Sequence, residues 1–237
     1  MFDGKMKAVT FSYDDGVTQD LKLIEILNRY GLKATFNLNS GSFGGRESKS
    51  IDGVLVYRDK VFSHDVRHIY QGHEVASHTV NHPDLTTLDD DGIVYQVEED
   101  RKRLSELVGY EIKGFAYPCG YVDDRVISVL KKKTSIKYAR SVRITESFEP
   151  CTDLYNLAFT TRNFGDNFLN LAREFVELKT DMPKIFSVWG HAYEFDWKKN
   201  WHLFEEFCKI ISGHGDIFYG TNSEVFLNKG WGGKCGE

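Results

Sequence analysis

Read for its apolar positions alone, the chain alternates short runs of strand formers with longer stretches of helical spacing. Residues 8–11 predict a first strand, and Leu21, Ile24, Leu27 and Tyr30 then recur at helical intervals until Gly31 stops the helix. Residues 33–38 predict a second strand. Residues 40–60, rich in Gly, Ser and charge, read as a long surface loop with a short hairpin around 54–57. A short helix near 65–71, a strand at 74–77 and a helix over 89–108 come after it, the last opening on aspartates and ending before Gly109. Beyond it come a strand at 112–117, a turn at Pro118-Cys119-Gly120 and a helix at 123–133. Strands at 138–140 and 157–160, a helix at 166–179 and the most apolar strand, 185–189, come next. A helix near 197–212, a strand at 216–219 and a short final helix complete the pattern.

Strands alternating with helices of ten or more residues imply βα units and a parallel sheet. Seven or eight units in 237 residues suggest an α/β barrel, closed or distorted, and the lack of repeats or linkers predicts one domain over 1–237. Such barrels carry their chemistry at the C-terminal ends of the strands. The reactive residues obey that rule: Asp14 and Asp15 follow the first strand, His78 and His82 the third, Cys119 the fourth and His191 the late apolar strand.

Two adjacent carboxylates at a strand end repel each other, and chemistry gives a reason to keep them: one can hold a cation while the other moves a proton. Asp-Asp-Gly is also an ordinary turn sequence, so the pair gains meaning only from the histidines further along the chain. His78 and His82 are four apart, but Thr79 stands where a helical zinc-protease motif needs glutamate, and Pro83 turns His82 away from helical geometry. The two imidazoles therefore belong to a turn converging on Asp15. Two histidines and a carboxylate are a common ligand set for one catalytic divalent metal, with zinc the first choice and iron, cobalt or manganese the alternatives.

Charge and composition narrow the partners. Thirty basic residues against 35 acidic give net −5 with no long block of one sign, which predicts no nucleic-acid or anionic-membrane partner. No run of 18 apolar residues exists, so no membrane span is expected. The N-terminus lacks an apolar signal region, giving a cytoplasmic reading for the chain as it stands, although a chain trimmed of a signal peptide would look the same. The four cysteines, 119, 151, 208 and 235, are widely spaced and read as free thiols.

Asp14-Asp15-Gly16, His78-x-x-x-His82, a strand ending in Pro118-Cys119-Gly120 and a late strand ending in His191, taken in that order, resemble the polysaccharide deacetylases, the NodB-homology family or carbohydrate esterase family 4. The resemblance runs from about Lys5 to about Asp196. It implies a distorted (β/α) barrel of about seven parallel strands that removes N- or O-acetyl groups from carbohydrate with one divalent metal. It implies Asp14 as general base, Asp15, His78 and His82 as metal ligands, His191 as general acid, and the backbone N–H of Cys119 as an oxyanion donor.

The chain also departs from that pattern. Ala116 stands where the family carries an arginine beside the base, leaving Arg140, Arg143 or Arg162 to supply the charge, with Arg162 favoured. Val188-Trp189-Gly190-His191 replaces the Leu-x-Leu-His of the family, and its Asp-Trp motif has no clear match. Glu194 and Asp196 either orient His191 or, the favoured reading, face solvent, and Trp197 and Trp201 are expected to pack in the core rather than on a sugar. The expected function is a carbohydrate deacetylase. The alternatives are a hydrolase of another C–N bond, such as a small cyclic amide, and a non-catalytic carbohydrate-binding domain.

Overall fold

In the computed structural model, which describes residues 1–228, the first strand β1 (Lys7–Asp14) is buried along its whole length. Its two faces do different work. Val9, Phe11 and Tyr13 pack outward into the main aromatic-rich cluster, whereas Ala8 joins a second cluster and Thr10, Ser12 and Asp14 hydrogen-bond with residues from elsewhere in the chain. A strand covered on both faces reads as continuous in sequence even though its side chains alternate.

In chain order the other elements are α1 (Asp20–Arg29), β2 (Thr35–Leu38), β3 (Ser48–Ile51), β4 (Val54–Tyr57), α2 (Val66–Ile69), β5 (Glu74–Ser77), α3 (Asp90–Val94), α4 (Asp100–Val108) and β6 (Gly114–Ala116). Next are α5 (Asp124–Lys133), β7 (Tyr138–Ile144), β8 (Leu157–Phe159), β9 (Thr161–Arg162), α6 (Phe168–Glu177), β10 (Lys184–Gly190), α7 (Tyr193–Lys198), α8 (Trp201–Ile211), β11 (Ile217–Tyr219) and α9 (Asn222–Phe226). The parallel sheet runs β8-β7-β6-β5-β2-β1-β10-β9, with β11 also paired to β1. Its two ends, β8 and β9, are halves of one segment separated only by Thr160, whose N–H donates to Ser187 Oγ on β10. That segment pairs with β7 through its first half and with β10 through its second, so seven parallel strands return on themselves. The sheet is the α/β barrel that the sequence pattern implied.

The N-terminal end of the barrel is stoppered by α9. Val225 and Phe226 join the same cluster as Ala8 and Tyr138, Asn222 accepts from Thr10, and Glu74 accepts from Thr35, Tyr138 and Ser223. With that end filled, the accessible chemistry is left to the C-terminal strand ends.

Three local readings change. Leu21 is exposed, and α1 instead buries Asp20, Leu23, Ile24, Ile26 and Leu27, because the helix meets the sheet along the Leu23/Leu27 stripe. The helix over 89–108 is interrupted by a π turn at Tyr95–Glu99, where the Gln96 carbonyl accepts the Val80 N–H at 3.1 Å. The helix near 197–212 is two helices, broken where Lys199 takes a left-handed φ of 52°. Trp197 and Trp201 are both partly buried against the main cluster, as expected. Cys119, Cys151 and Cys208 are free, and Cys235 lies outside the described residues. No helix among the described residues is long and apolar enough to cross a membrane.

Candidate metal and catalytic centre

The site is assembled at the strand ends by turns under conformational constraint. Asp15, Thr79, His82 and Cys119 all have left-handed φ values, 80°, 71°, 56° and 53°, which non-glycine residues rarely adopt and which cluster at functional sites. Gly120, at φ 74°, follows Cys119 where a β-carbon would meet Val142 at 2.3 Å, so only glycine lets that turn close against β7.

The turn carrying the two histidines is held from behind. Asp100, fully buried at the start of α4, accepts the Ser40 N–H at 2.7 Å, the Ser77 hydroxyl at 2.6 Å and the His78 N–H at 3.2 Å. Burial pushes its pKa up to about 6 against those hydrogen bonds. The Gln96 carbonyl, presented by the π turn, and the Gln96 side chain fix Val80 and Asn81.

Asp15, His78 and His82 each offer one donor atom, and the three atoms lie within 4.8 Å of one another. Both histidine Nε2 atoms stand 3.9 Å from Asp15 Oδ1. His78 Nδ1 lies 2.8 Å from the Ala116 carbonyl, which can only accept, so Nδ1 carries the hydrogen and Nε2 is left as a ligand atom. Burial lowers the His78 pKa to about 4, keeping the ring neutral. Burial alone would raise the Asp15 pKa, but His191, Lys60, His78 and His82 together pull it well below the usual carboxylate range. A neutral imidazole and an ionised carboxylate are the forms that bind a cation, so the donor set fits a divalent metal.

Beside it, Asp14 is 3% exposed and receives Arg140 Nη2 at 2.5 Å on both oxygens and Asn37 Nδ2 at 2.8 Å. Burial pushes its pKa up, and Arg140, His78 and His191 more than reverse that, leaving it lowered. On the other side His191 Nε2 lies 4.0 Å from Asp14 Oδ2, and His191 Nδ1 lies 3.2 Å from Glu194 Oε1. Glu194 Oε2 also accepts the His191 backbone N–H at 2.9 Å. Burial disfavours the imidazolium, yet the Glu194 carboxylate outweighs it, with help from Asp15 and Asp14, and the His191 pKa is pushed up to about 9. Asp14, Asp15, His78, His82 and His191 line one cavity of about 260 Å³, together with Cys119, Arg58 and Trp189.

A sequence model of the polysaccharide deacetylase family matches residues 3–136, more than half of the chain. The chain belongs to the polysaccharide deacetylase family. The match takes in Asp14, Asp15, His78, His82 and Cys119 and stops before Arg140, Arg162 and His191. A chitin deacetylase of Pestalotiopsis sp is 32% identical over 99 residues, which is 41% of this chain and 29% of that relative's length. The Xyl-CE4 domain of a multidomain xylanase from the hindgut metagenome of Trinervitermes trinervoides is 20% identical and superposes with a TM-score of 0.57, over 94% of this chain and 91% of that one. A family 4 acetyl xylan esterase from Clostridium thermocellum, solved with a cobalt ion, is 17% identical with a TM-score of 0.55, over 94% and 92%. At these identities the two structures establish a shared fold.

Within this family framework, one expected contact is corrected. Arg162 is not the arginine beside Asp14: its Nη2 lies 3.3 Å from Glu194 Oε1, on the far side of His191. The reason is topological. Arg140 reaches Asp14 from β7, whereas Arg162 sits on β9 beside Trp189 of β10, and the Trp189 ring stands 4.9 Å from each guanidinium. Glu194, expected in solvent, is 4% exposed, while Asp196 hydrogen-bonds Gln19 and Trp201 and takes no part. Two further residues near the site, Asp100 and Arg58, are not evident from the sequence. Glu194 leaves a trace there, being three residues after His191 on a helical turn.

Proposed function

We propose that this chain forms a single catalytic domain that removes acetyl groups from an N- or O-acetylated carbohydrate with one divalent metal, zinc in the first instance. The observation that carries the reading is the convergence of a buried, arginine-paired carboxylate, a histidine–histidine–carboxylate donor set and a carboxylate-backed histidine on one cavity. A binding module has no use for both a base and an acid at 4.0 Å.

Asp15, His78 and His82 would hold the metal, which when bound lowers the pKa of a ligated water to roughly 7 and polarises the acyl carbonyl. Iron, cobalt and manganese suit the same donors. Asp14, kept ionised by Arg140, takes a proton from the attacking water. The Cys119 N–H donates to the carbonyl oxygen as negative charge develops there. His191, protonated and held by Glu194, gives its proton to the departing amine nitrogen or alkoxide oxygen as the C–N or C–O bond breaks. Acetate and the free amine or hydroxyl are the products. The Cys119 side chain is a bystander: burial, Asp15 and Asp84 raise its thiol pKa, so the reactive thiolate is disfavoured.

Elemental analysis of purified protein tests the reading. It predicts about one divalent ion per chain, lost in the His78→Ala/His82→Ala variant. A wild-type chain that neither carries nor takes up a divalent ion overturns it.

A further inference from the structure

The return arm of the β3–β4 hairpin brings another guanidinium into the catalytic cavity. Arg58 directly follows β4, and only 17% of its side chain is exposed although it belongs to a surface hairpin. It lines the same cavity as Asp14, Asp15 and the three site histidines. Its placement is fixed on every side. The guanidinium carbon lies 5.2 Å from the centre of the Tyr193 ring, and one nitrogen pairs with Glu47 on the opposite arm. The chain around it is tied to the turn that carries Asp15: Thr18 N–H donates to Asp59 O at 2.8 Å, Val61 N–H to Gly16 O at 3.0 Å and the Gln19 side chain to Tyr57 O at 2.8 Å.

Arg58 is not needed to neutralise the site. Asp14 has Arg140 at 2.5 Å, Glu194 has Arg162 at 3.3 Å, and Asp15 has Lys60 at 3.8 Å besides the two histidines. The only carboxylate paired with Arg58 among the described residues is Glu47, which is 46% exposed, so water screens its compensation of the guanidinium. Besides pairing with Glu47, the Arg58 side chain hydrogen-bonds Tyr193, and its buried Nε has no partner. A guanidinium held between Tyr193 and Glu47, lining the cavity of a reacting centre whose own carboxylates are already paired, is placed to receive an oxyanion.

We propose that Arg58 determines specificity by binding a carboxylate carried on the substrate near the acylated position, so that the preferred substrate is an acidic saccharide. The carboxylate belongs either to the acylated sugar itself, as in a lactyl ether, or to a neighbouring uronic acid. The proposal rests on the deacetylase reading above.

The test is acetate release from matched saccharide pairs, each an acetylated oligosaccharide and its counterpart with the carboxylate reduced to an alcohol. One pair carries the group as a lactyl ether and the other as a neighbouring uronic acid. Wild-type protein is expected to favour the acidic member of at least one pair by about tenfold or more in kcat/KM, chiefly through KM, and that pair locates the carboxylate. In Arg58→Met the ratio falls to near one whatever the absolute rates, and Arg58→Lys, which keeps the charge but not the fork, lies between. A ratio unchanged in Arg58→Met, or no wild-type preference in either pair, overturns the proposal. If wild-type protein releases acetate from none of the four saccharides, the deacetylase reading has failed, and calorimetry with the same saccharides still decides on Arg58. Acidic saccharide binding that is lost in Arg58→Met supports its role, and equal or absent binding contradicts it. Melting of Arg58→Met separates this from a hairpin-bracing role, which lowers Tm and leaves the ratio alone.

Discussion

Arg140 and Asp14 meet between two strands that are not neighbours: Arg140 Nη2 on β7 lies 2.5 Å from both carboxylate oxygens on β1, and neither side chain is more than 4% exposed. The pair supplies, from β7, the charge that the resemblance to the family led one to expect from an arginine at the position of Ala116.

Removing the arginine strands a buried charge. Arg140→Met is expected to lose roughly 3–5 kcal/mol of stability at neutral pH, because the Asp14 carboxylate is left uncompensated. Its pKa, now lowered mainly by Arg140 against burial, rises in the variant. A base works only when ionised, so the acid limb of the pH–kcat/KM profile moves to higher pH. Denaturant melts and the profile read the two effects separately.

Glu194→Gln acts on the opposite limb. Burial by itself lowers the His191 pKa, and Glu194 is the largest influence raising it to about 9. An acid works only while protonated, so loss of the carboxylate moves the basic limb to lower pH while the acid limb stays. An unchanged basic limb contradicts the assignment of His191 as the proton donor.

Asp100 supports His78, a ligand in the proposed metal site, from behind. Asp100→Ala removes the acceptor of the His78 N–H, the Ser40 N–H and the Ser77 hydroxyl. Metal affinity is expected to fall about 10- to 100-fold, as for other residues that orient a ligand, with competition against a chromophoric chelator as the readout.

Asp20 makes stability depend on pH. It is fully buried, its Oδ1 has no partner, and burial pushes its pKa up to about 8 despite the Tyr70 hydroxyl donating to Oδ2 at 2.7 Å. A carboxyl whose folded pKa exceeds its unfolded value near 3.9 contributes stability that is full below about pH 4 and lost as pH rises through about 8. Asp20→Asn removes that dependence, so the Tm advantage of the variant over wild type grows between pH 4 and pH 8. A difference independent of pH contradicts it.

What the sequence discloses and what it conceals divide along contact range. Asp14-Asp15 and His78-x-x-x-His82 are legible because each motif is local and ends a strand, and the parallel barrel is legible because βα alternation has few solutions. Arg140 is not, because its partner is 126 residues away, and in one dimension Arg140, Arg143 and Arg162 are equivalent cations near strands. Glu194 looks like a solvated helix residue until folding buries it beneath His191. The π turn at Tyr95–Glu99 leaves the apolar spacing of its helix almost intact, so hydrophobic period alone cannot reveal it. Leu21 is misleading for the converse reason: one helical stripe is visible in the sequence, but the sheet selects the adjacent one.

The central claim is that a metal held by Asp15, His78 and His82 and a proton moved by Asp14 together cleave an acetyl group. It is tested most directly by acetate release from an N-acetylated oligosaccharide, using protein stripped by chelator, the same protein reloaded with zinc, and metal-loaded Asp14→Asn. The account predicts no release from the stripped protein and recovery on reloading. It also predicts about one metal ion per chain in Asp14→Asn, with a rate lower by about 10²- to 10⁴-fold. Full activity in the stripped protein, or an Asp14→Asn variant as fast as wild type, would contradict it.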